Sequence, residues 1–168
     1  MSHISSEAIH NLVTTLDSEL QALHHLAADI ATVQREMQQN RAHPWRSYET
    51  MALKLHNFYA GCERIFSAVV AELNGGLPQE VDWPRRLLDK MGTARDYRPA
   101  LLATETAHEL HDFLTFCHTM RNIHGFQLNI ARVDYLVACY PAAWQHVQAD
   151  VTQFMAWLTT LATSTTGE

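Results

Sequence analysis

Leu53-Lys54-Leu55-His56-Asn57-Phe58-Tyr59-Ala60-Gly61-Cys62-Glu63-Arg64-Ile65-Phe66-Ser67-Ala68-Val69-Val70 is the stretch that decides the architecture. Its apolar residues, Leu53, Leu55, Phe58, Tyr59, Cys62, Ile65, Phe66, Val69 and Val70, are spread so that a 3.6-residue turn carries them over much of the circumference. The stretch therefore reads as a helix buried on most sides, running from about Arg46 to Leu73. Asn74-Gly75-Gly76-Leu77-Pro78 stops it, since glycine permits a left-handed closing residue and proline cannot continue a helix.

Upstream, Ser5 or Ser6 followed by an acidic residue can cap a long first helix that reaches to about Pro44. Along it Ile9, Leu12, Val13, Leu16, Leu20, Leu23, Leu26, Ala27, Ile30 and Val33 recur at three and four residues. Downstream, Trp83 to Met91 reads as a short helix with Pro84 in its first turn, followed by a loop from Gly92 to Pro99 rich in Arg and Asp. A fourth helix resumes near Ala103, turns Leu110, Phe113, Leu114, Cys117 and Met120 inward, and ends near Gly125. Asn129 can cap a short fifth helix through Cys139. Pro141 can open a sixth, which carries Trp144, Val147, Val151, Phe154, Met155, Leu158 and Leu161. No alternating strand pattern or fixed-period repeat competes with these helices. The expected fold is all-α, an antiparallel helical bundle of four to five main helices. A single domain over residues 1–163 with a frayed tail from Ser164 to Glu168 is expected.

The 168 residues are enough for one sizeable core, and the 47% apolar and 18% charged shares are those of a globular protein rather than a disordered one. A formal charge of −6 argues against a protein that coats nucleic acid non-specifically, so any RNA contact must be local. Cys62, Cys117 and Cys139 form an odd set without CxxC spacing, which suits a reducing compartment and neither a disulfide framework nor a zinc knuckle. The N-terminus lacks the pattern of a signal peptide, and no run of about 18 apolar residues occurs. A cytoplasmic location away from the membrane is expected.

Chemistry gathers at the end of the fourth helix, Phe116-Cys117-His118-Thr119-Met120-Arg121-Asn122-Ile123-His124-Gly125-Phe126. At roughly 100° per residue, Cys117, Arg121 and His124 share a narrow arc, with His118 and Asn122 on its flank. Cleaving an RNA phosphodiester without a metal needs a base for the 2′-hydroxyl proton, an acid for the leaving oxygen, and a cation for the charge on phosphorus oxygens. Imidazoles titrate near neutrality, so His118 or His124 can serve as base or acid, and Arg121 can clamp a phosphate. By residue type alone, a polar stripe turned to solvent or to a partner is the commoner reading of such a cluster.

Arg121-Asn122-Ile123-His124-Gly125-Phe126-Gln127-Leu128, with Phe116 and His118, resembles the signature of HepT-like proteins in the HEPN superfamily, an Arg followed after four to six residues by His and often then Tyr. Leu55 to Phe66 resembles the helix that precedes the motif helix in that branch, and Leu77-Pro78 through Trp83 to Met91 resembles its short connecting helix. The similarity spans roughly Tyr48 to Leu136. It implies an all-α homodimer whose motif helices meet to form a metal-independent ribonuclease site acting on tRNA or mRNA. It also implies a minimal nucleotidyltransferase antitoxin that silences the toxin by adenylylating the motif tyrosine, and no cofactor. If the family's Arg, His and Tyr fall at 117, 122 and 124, this chain holds Cys117, Asn122 and His124 instead. Either Arg121 and His118 supply the lost cation and imidazole, or the register shifts to Arg121 and His124. Arg121, His124, His118 and Asn122 are thus the catalytic candidates. The degenerate motif leaves a second reading, a non-catalytic HEPN-type module that binds a nucleotidyltransferase.

Other features have plainer readings. Glu7-x-x-His10, Glu105-x-x-His108, His24-His25 and His108/His111/Asp112 have metal-ligand character, but exposed helical faces are the default and no metal site is assigned. Glu63-Arg64 is expected to form a structural ion pair that holds the motif helix, with substrate contact as the rival. Arg85, Arg86, Arg95 and Arg98 are the one basic run and the candidate contact to an RNA backbone, against the plain reading of a solvated loop.

Overall fold

In a computed structural model the described residues are 4–39, 42, 44–73, 82–122 and 127–165, with the backbone alone described at 122 and 165. They form five helices: α1 (Ser6–Gln39), α2 (Pro44–Leu73), α3 (Trp83–Met91), α4 (Thr104–Asn122) and α5 (Ile130–Thr165). The expected all-α bundle is what the chain adopts, and no strand occurs among the described residues.

Local chemistry accounts for the helix starts. Ser5 Oγ accepts the Ala8 N–H at 3.1 Å, closing one of the donors that the first turn of α1 leaves open. Asn129 Oδ1 does the same for the Arg132 N–H at 3.1 Å ahead of α5. α3 has no side-chain cap, but Pro84 in its first turn removes a donor that would otherwise need a partner.

α2 is the central element and touches all four other helices, as its apolar circumference requires. Met51, Ala52, Leu55, Phe58, Tyr59, Cys62, Ile65, Phe66 and Val69 have no exposed surface. Phe58 is the meeting point of three helices. Its ring takes Phe113 of α4 edge-on at 5.2 Å and, on α5, Tyr140 at 5.1 Å and Trp144 at 6.4 Å, geometries that the aromatic quadrupole favours. Gly61 lets α1 approach closely: a Cβ there would lie 2.5 Å from Leu23 Cδ2.

One expectation is corrected. The fifth and sixth helices are a single helix, with Pro141 inside α5. Proline lacks the N–H that would bond the Val137 carbonyl and crowds that carbonyl, at a cost of about 3 kcal/mol. The surrounding packing outweighs this. Val133, Leu136, Tyr140, Ala143, Val147, Val151, Phe154, Leu158 and Ala162 are all buried, at spacings of three and four residues that keep phase through the proline. Pro141 itself lies on the exposed side. Among the described residues no helix is long and apolar enough to cross a membrane.

Candidate functional site

α4 enters its last two turns between α2 on one side and α3 on another, so neighbouring residues of the motif segment meet different surroundings. Cys117 is fully buried, and its thiol donates to the His56 carbonyl of α2 at 3.7 Å. Burial pushes that thiol up to about 12, with the Arg121 guanidinium pulling the other way and Glu63 adding to the rise. It stays protonated at neutral pH and is neither cation nor nucleophile. The narrow arc expected to unite Cys117 and Arg121 is thus divided by the packing: the former is core and the latter is surface.

Arg121 Nη2 donates to Glu63 Oε2 of α2 at 3.2 Å, with the Arg121 side chain 45% exposed and Glu63 20% exposed. The pair expected from Glu63-Arg64 is replaced by one between Glu63 and Arg121 of the motif helix itself. Arg64 turns instead to α1 and donates through Nε to Glu19 Oε2 at 2.9 Å. Behind the Glu63 pair, three side-chain atoms along α2 are buried and lack a hydrogen-bond partner: His56 Nδ1, Tyr59 Oη and Glu63 Oε1. Each carries a desolvation penalty of about 1–3 kcal/mol. Tyr59 is held neutral, its hydroxyl raised by burial and then by the Glu63 carboxylate.

His118 lies on the other flank of the helix. It lines a groove of about 590 Å³ between α3 and α4, together with Arg85, His108, His111, Thr115 and Asp82. Two residues from separate sequence expectations, His118 and Arg85, are therefore brought together. So are two imidazoles that the sequence singled out only as metal ligands. His111 Nε2 pairs with Asp89 Oδ1 of α3 at 3.1 Å. Asp112, its neighbour, faces away and binds Arg132 at 3.5 Å and the Tyr135 hydroxyl at 3.0 Å. The His108/His111/Asp112 trio is thus split between two faces. The spacing of 111, 115 and 118 at four and three residues was the available signal for the groove stripe.

The basic run also separates. Arg85 faces the groove, and Arg86 and Arg95 are exposed. Arg98 is 2% exposed and donates to the carbonyls of Thr93, Pro99 and Lys90 at 3.4, 3.0 and 3.1 Å, closing the α3–α4 loop from inside. Its backbone pairs with that of Arg95. Burial lowers its pKa, and its donors are engaged in holding the loop rather than presented to a ligand. His124 lies outside the described residues, as does the side chain of Asn122.

A second cavity, not foreseen from the sequence, opens between the end of α4 and the start of α5, with a volume of about 260 Å³. Phe116, Met120 and Leu128 give it an apolar floor, and Thr115, Thr119, Gln127, Asn129 and Arg132 complete the lining.

Compared with known proteins, residues 50–158 match a family model described as HepT-like protein. No curated protein and no solved structure matches the chain.

Proposed function

The chain belongs to the HepT-like family of the HEPN superfamily, and from that premise we propose that it is a toxin that cleaves RNA without a metal ion, as a cytoplasmic homodimer paired with a minimal nucleotidyltransferase antitoxin. The observation that carries this reading is the end of α4, where Arg121 and His118 stand within one helical turn of each other. Arg121 is braced by Glu63 yet almost half exposed, and His118 lines a groove that also holds Arg85. A guanidinium has five donors, so engagement of one by Glu63 leaves others for a phosphate.

In the reaction, an imidazole of His118 or His124 takes the proton from a ribose 2′-hydroxyl as its oxygen attacks phosphorus. The other imidazole gives a proton to the departing 5′-oxygen. The products are a 2′,3′-cyclic phosphate and a 5′-hydroxyl, and the proton count is unchanged. Arg121 offsets the charge that builds on the non-bridging oxygens. Arg85 steers the neighbouring backbone, with Arg86 and Arg95 exposed on the same run. His124 and Asn122 enter through their match to the family motif.

The test is incubation of purified protein with tRNA or total RNA in the presence of a chelator. Cleavage is expected, and Arg121→Ala is expected to lower its rate by roughly 10²–10³, the usual loss on removing one charge-stabilising donor. Cleavage undiminished in Arg121→Ala and His118→Ala would remove both residues from the mechanism.

A second reading has its own support in the burial of Cys117. Where the family's arginine would fall in the unshifted register, this chain has a neutral thiol sealed in the core. A non-catalytic module that binds a nucleotidyltransferase fits that loss. A stable complex with a co-expressed nucleotidyltransferase, and no effect on RNA, would select it.

A further inference from the structure

We propose that the cavity between the end of α4 and the start of α5 is a base-recognition pocket that takes one unstacked nucleobase, adenine or cytosine in preference to uracil. The proposal builds on the RNA reading above and adds a selectivity to it.

Size comes first. At about 260 Å³ the cavity is smaller than the roughly 300–1,000 Å³ of sites that enclose whole ligands, so it suits a ring system rather than a complete nucleotide. Its floor is apolar and in part aromatic, through Phe116, Met120 and Leu128, as the face of an unstacked base requires.

The rim then has a polarity that can be read from its existing hydrogen bonds. Thr115 Oγ1 donates to the His111 carbonyl and Thr119 Oγ1 donates to the Thr115 carbonyl, both at 2.9 Å. Each hydroxyl has spent its proton on its own helix and offers only lone pairs to a ligand. Asn129 Oδ1 accepts the Arg132 N–H, which fixes the amide so that its nitrogen is the group left to donate. With Arg132 turned to Asp112, two acceptors and a donor on one rim complement an exocyclic amine and a ring-nitrogen acceptor, the edge that adenine and cytosine present. Uracil presents a carbonyl and an N–H in the reverse order, which sets its oxygen against the threonine lone pairs.

The pocket also adjoins the proposed backbone path. Thr115 lines both this cavity and the groove that holds Arg85 and His118. A single strand with its phosphates in the groove can pass one base across the α4 ridge into the pocket, next to the turn that carries His118 and Arg121.

The experiment measures binding of labelled 2′-O-methyl oligoadenylate, oligocytidylate and oligouridylate, which lack the attacking hydroxyl, by fluorescence anisotropy at fixed salt. The wild type is expected to prefer the adenine and cytosine oligomers about three- to tenfold, the effect of one well-placed hydrogen bond. Thr119→Val, which removes an acceptor at constant shape on an exposed helical face, reduces the preference, and Thr119→Phe, which fills the cavity, abolishes it. Arg85→Ala weakens all three oligomers alike. Equal affinity for the three, no binding of any, or a preference that neither Thr119 substitution moves overturns the pocket. The nuclease reading fails separately: intact tRNA in the cleavage assay, with the base preference present here, removes the enzyme and leaves the pocket.

Discussion

Pro141→Ala measures how far packing overrides local sequence in α5. Proline in a helix interior is less favourable than alanine by about 3 kcal/mol, through the missing N–H and the clash with the carbonyl four residues back. Part of that returns in the unfolded chain, where losing proline restores conformational freedom worth about 0.4–1 kcal/mol. The exposed position of Pro141 means that an alanine methyl meets no crowded neighbour. The balance is a stabilisation of about 2 kcal/mol, and for a chain of 168 residues each kcal/mol moves the melting temperature by roughly 2–4 °C. Thermal unfolding followed by circular dichroism is therefore expected to shift upward by roughly 4–8 °C. If Pro141 instead opened a separate helix, its missing N–H would cost nothing there and alanine would leave the melting temperature unchanged or lower it. That outcome would refute the continuous helix and the packing argument behind it.

Thiol chemistry and pH give two further predictions. Cys62 and Cys117 are buried, with thiols raised by burial, while Cys139 is partly accessible, so a disulfide reagent should react quickly with one thiol in the native protein and with all three after denaturation. Rapid native reaction of more than one would contradict the described core. His146 Nδ1 lies 2.9 Å from Glu109 Oε2, and that hydrogen bond, followed by the Glu109 charge, raises the imidazole above its ordinary value near 6.5 against a smaller opposing effect of burial, with Glu105 and Asp150 adding to the rise. A raised folded-state value means the contribution is complete below about pH 6.5 and disappears as pH climbs through the folded value. His146→Gln should accordingly lower the melting temperature most below about pH 6.5 and approach the wild type as pH rises above it; a gap of constant size at every pH would count against the pair.

The helices were legible because burial imposes a period, and the period survives in the sequence wherever one face meets the core. Leu53 to Val70 identified the central helix, and Ser5 and Asn129 marked two helix starts through hydrogen bonds that involve only their own helix. Pro141 is misleading because proline is a common helix opener, whereas the buried series keeps its phase through it from Val133 to Ala162. That phase was present in the sequence and is the better guide when the two disagree, since nine buried side chains outweigh one lost hydrogen bond.

The site was less legible, for a physical reason that the α4 residues make plain. A helical projection sorts residues by angle and is blind to what each angle faces. Cys117 and Arg121 are about 40° apart by projection, yet the Phe58 to Glu63 stretch of α2 buries one and offers a carboxylate to the other. Glu63 is the residue that separates them. One of its oxygens is buried and unpartnered and the other accepts from Arg121, so the carboxylate holds Arg121 at the surface edge of the seam. The same brace would reduce the entropy that Arg121 loses on gripping a phosphate in the proposed site, so its structural contact with Glu63 is compatible with the proposed role.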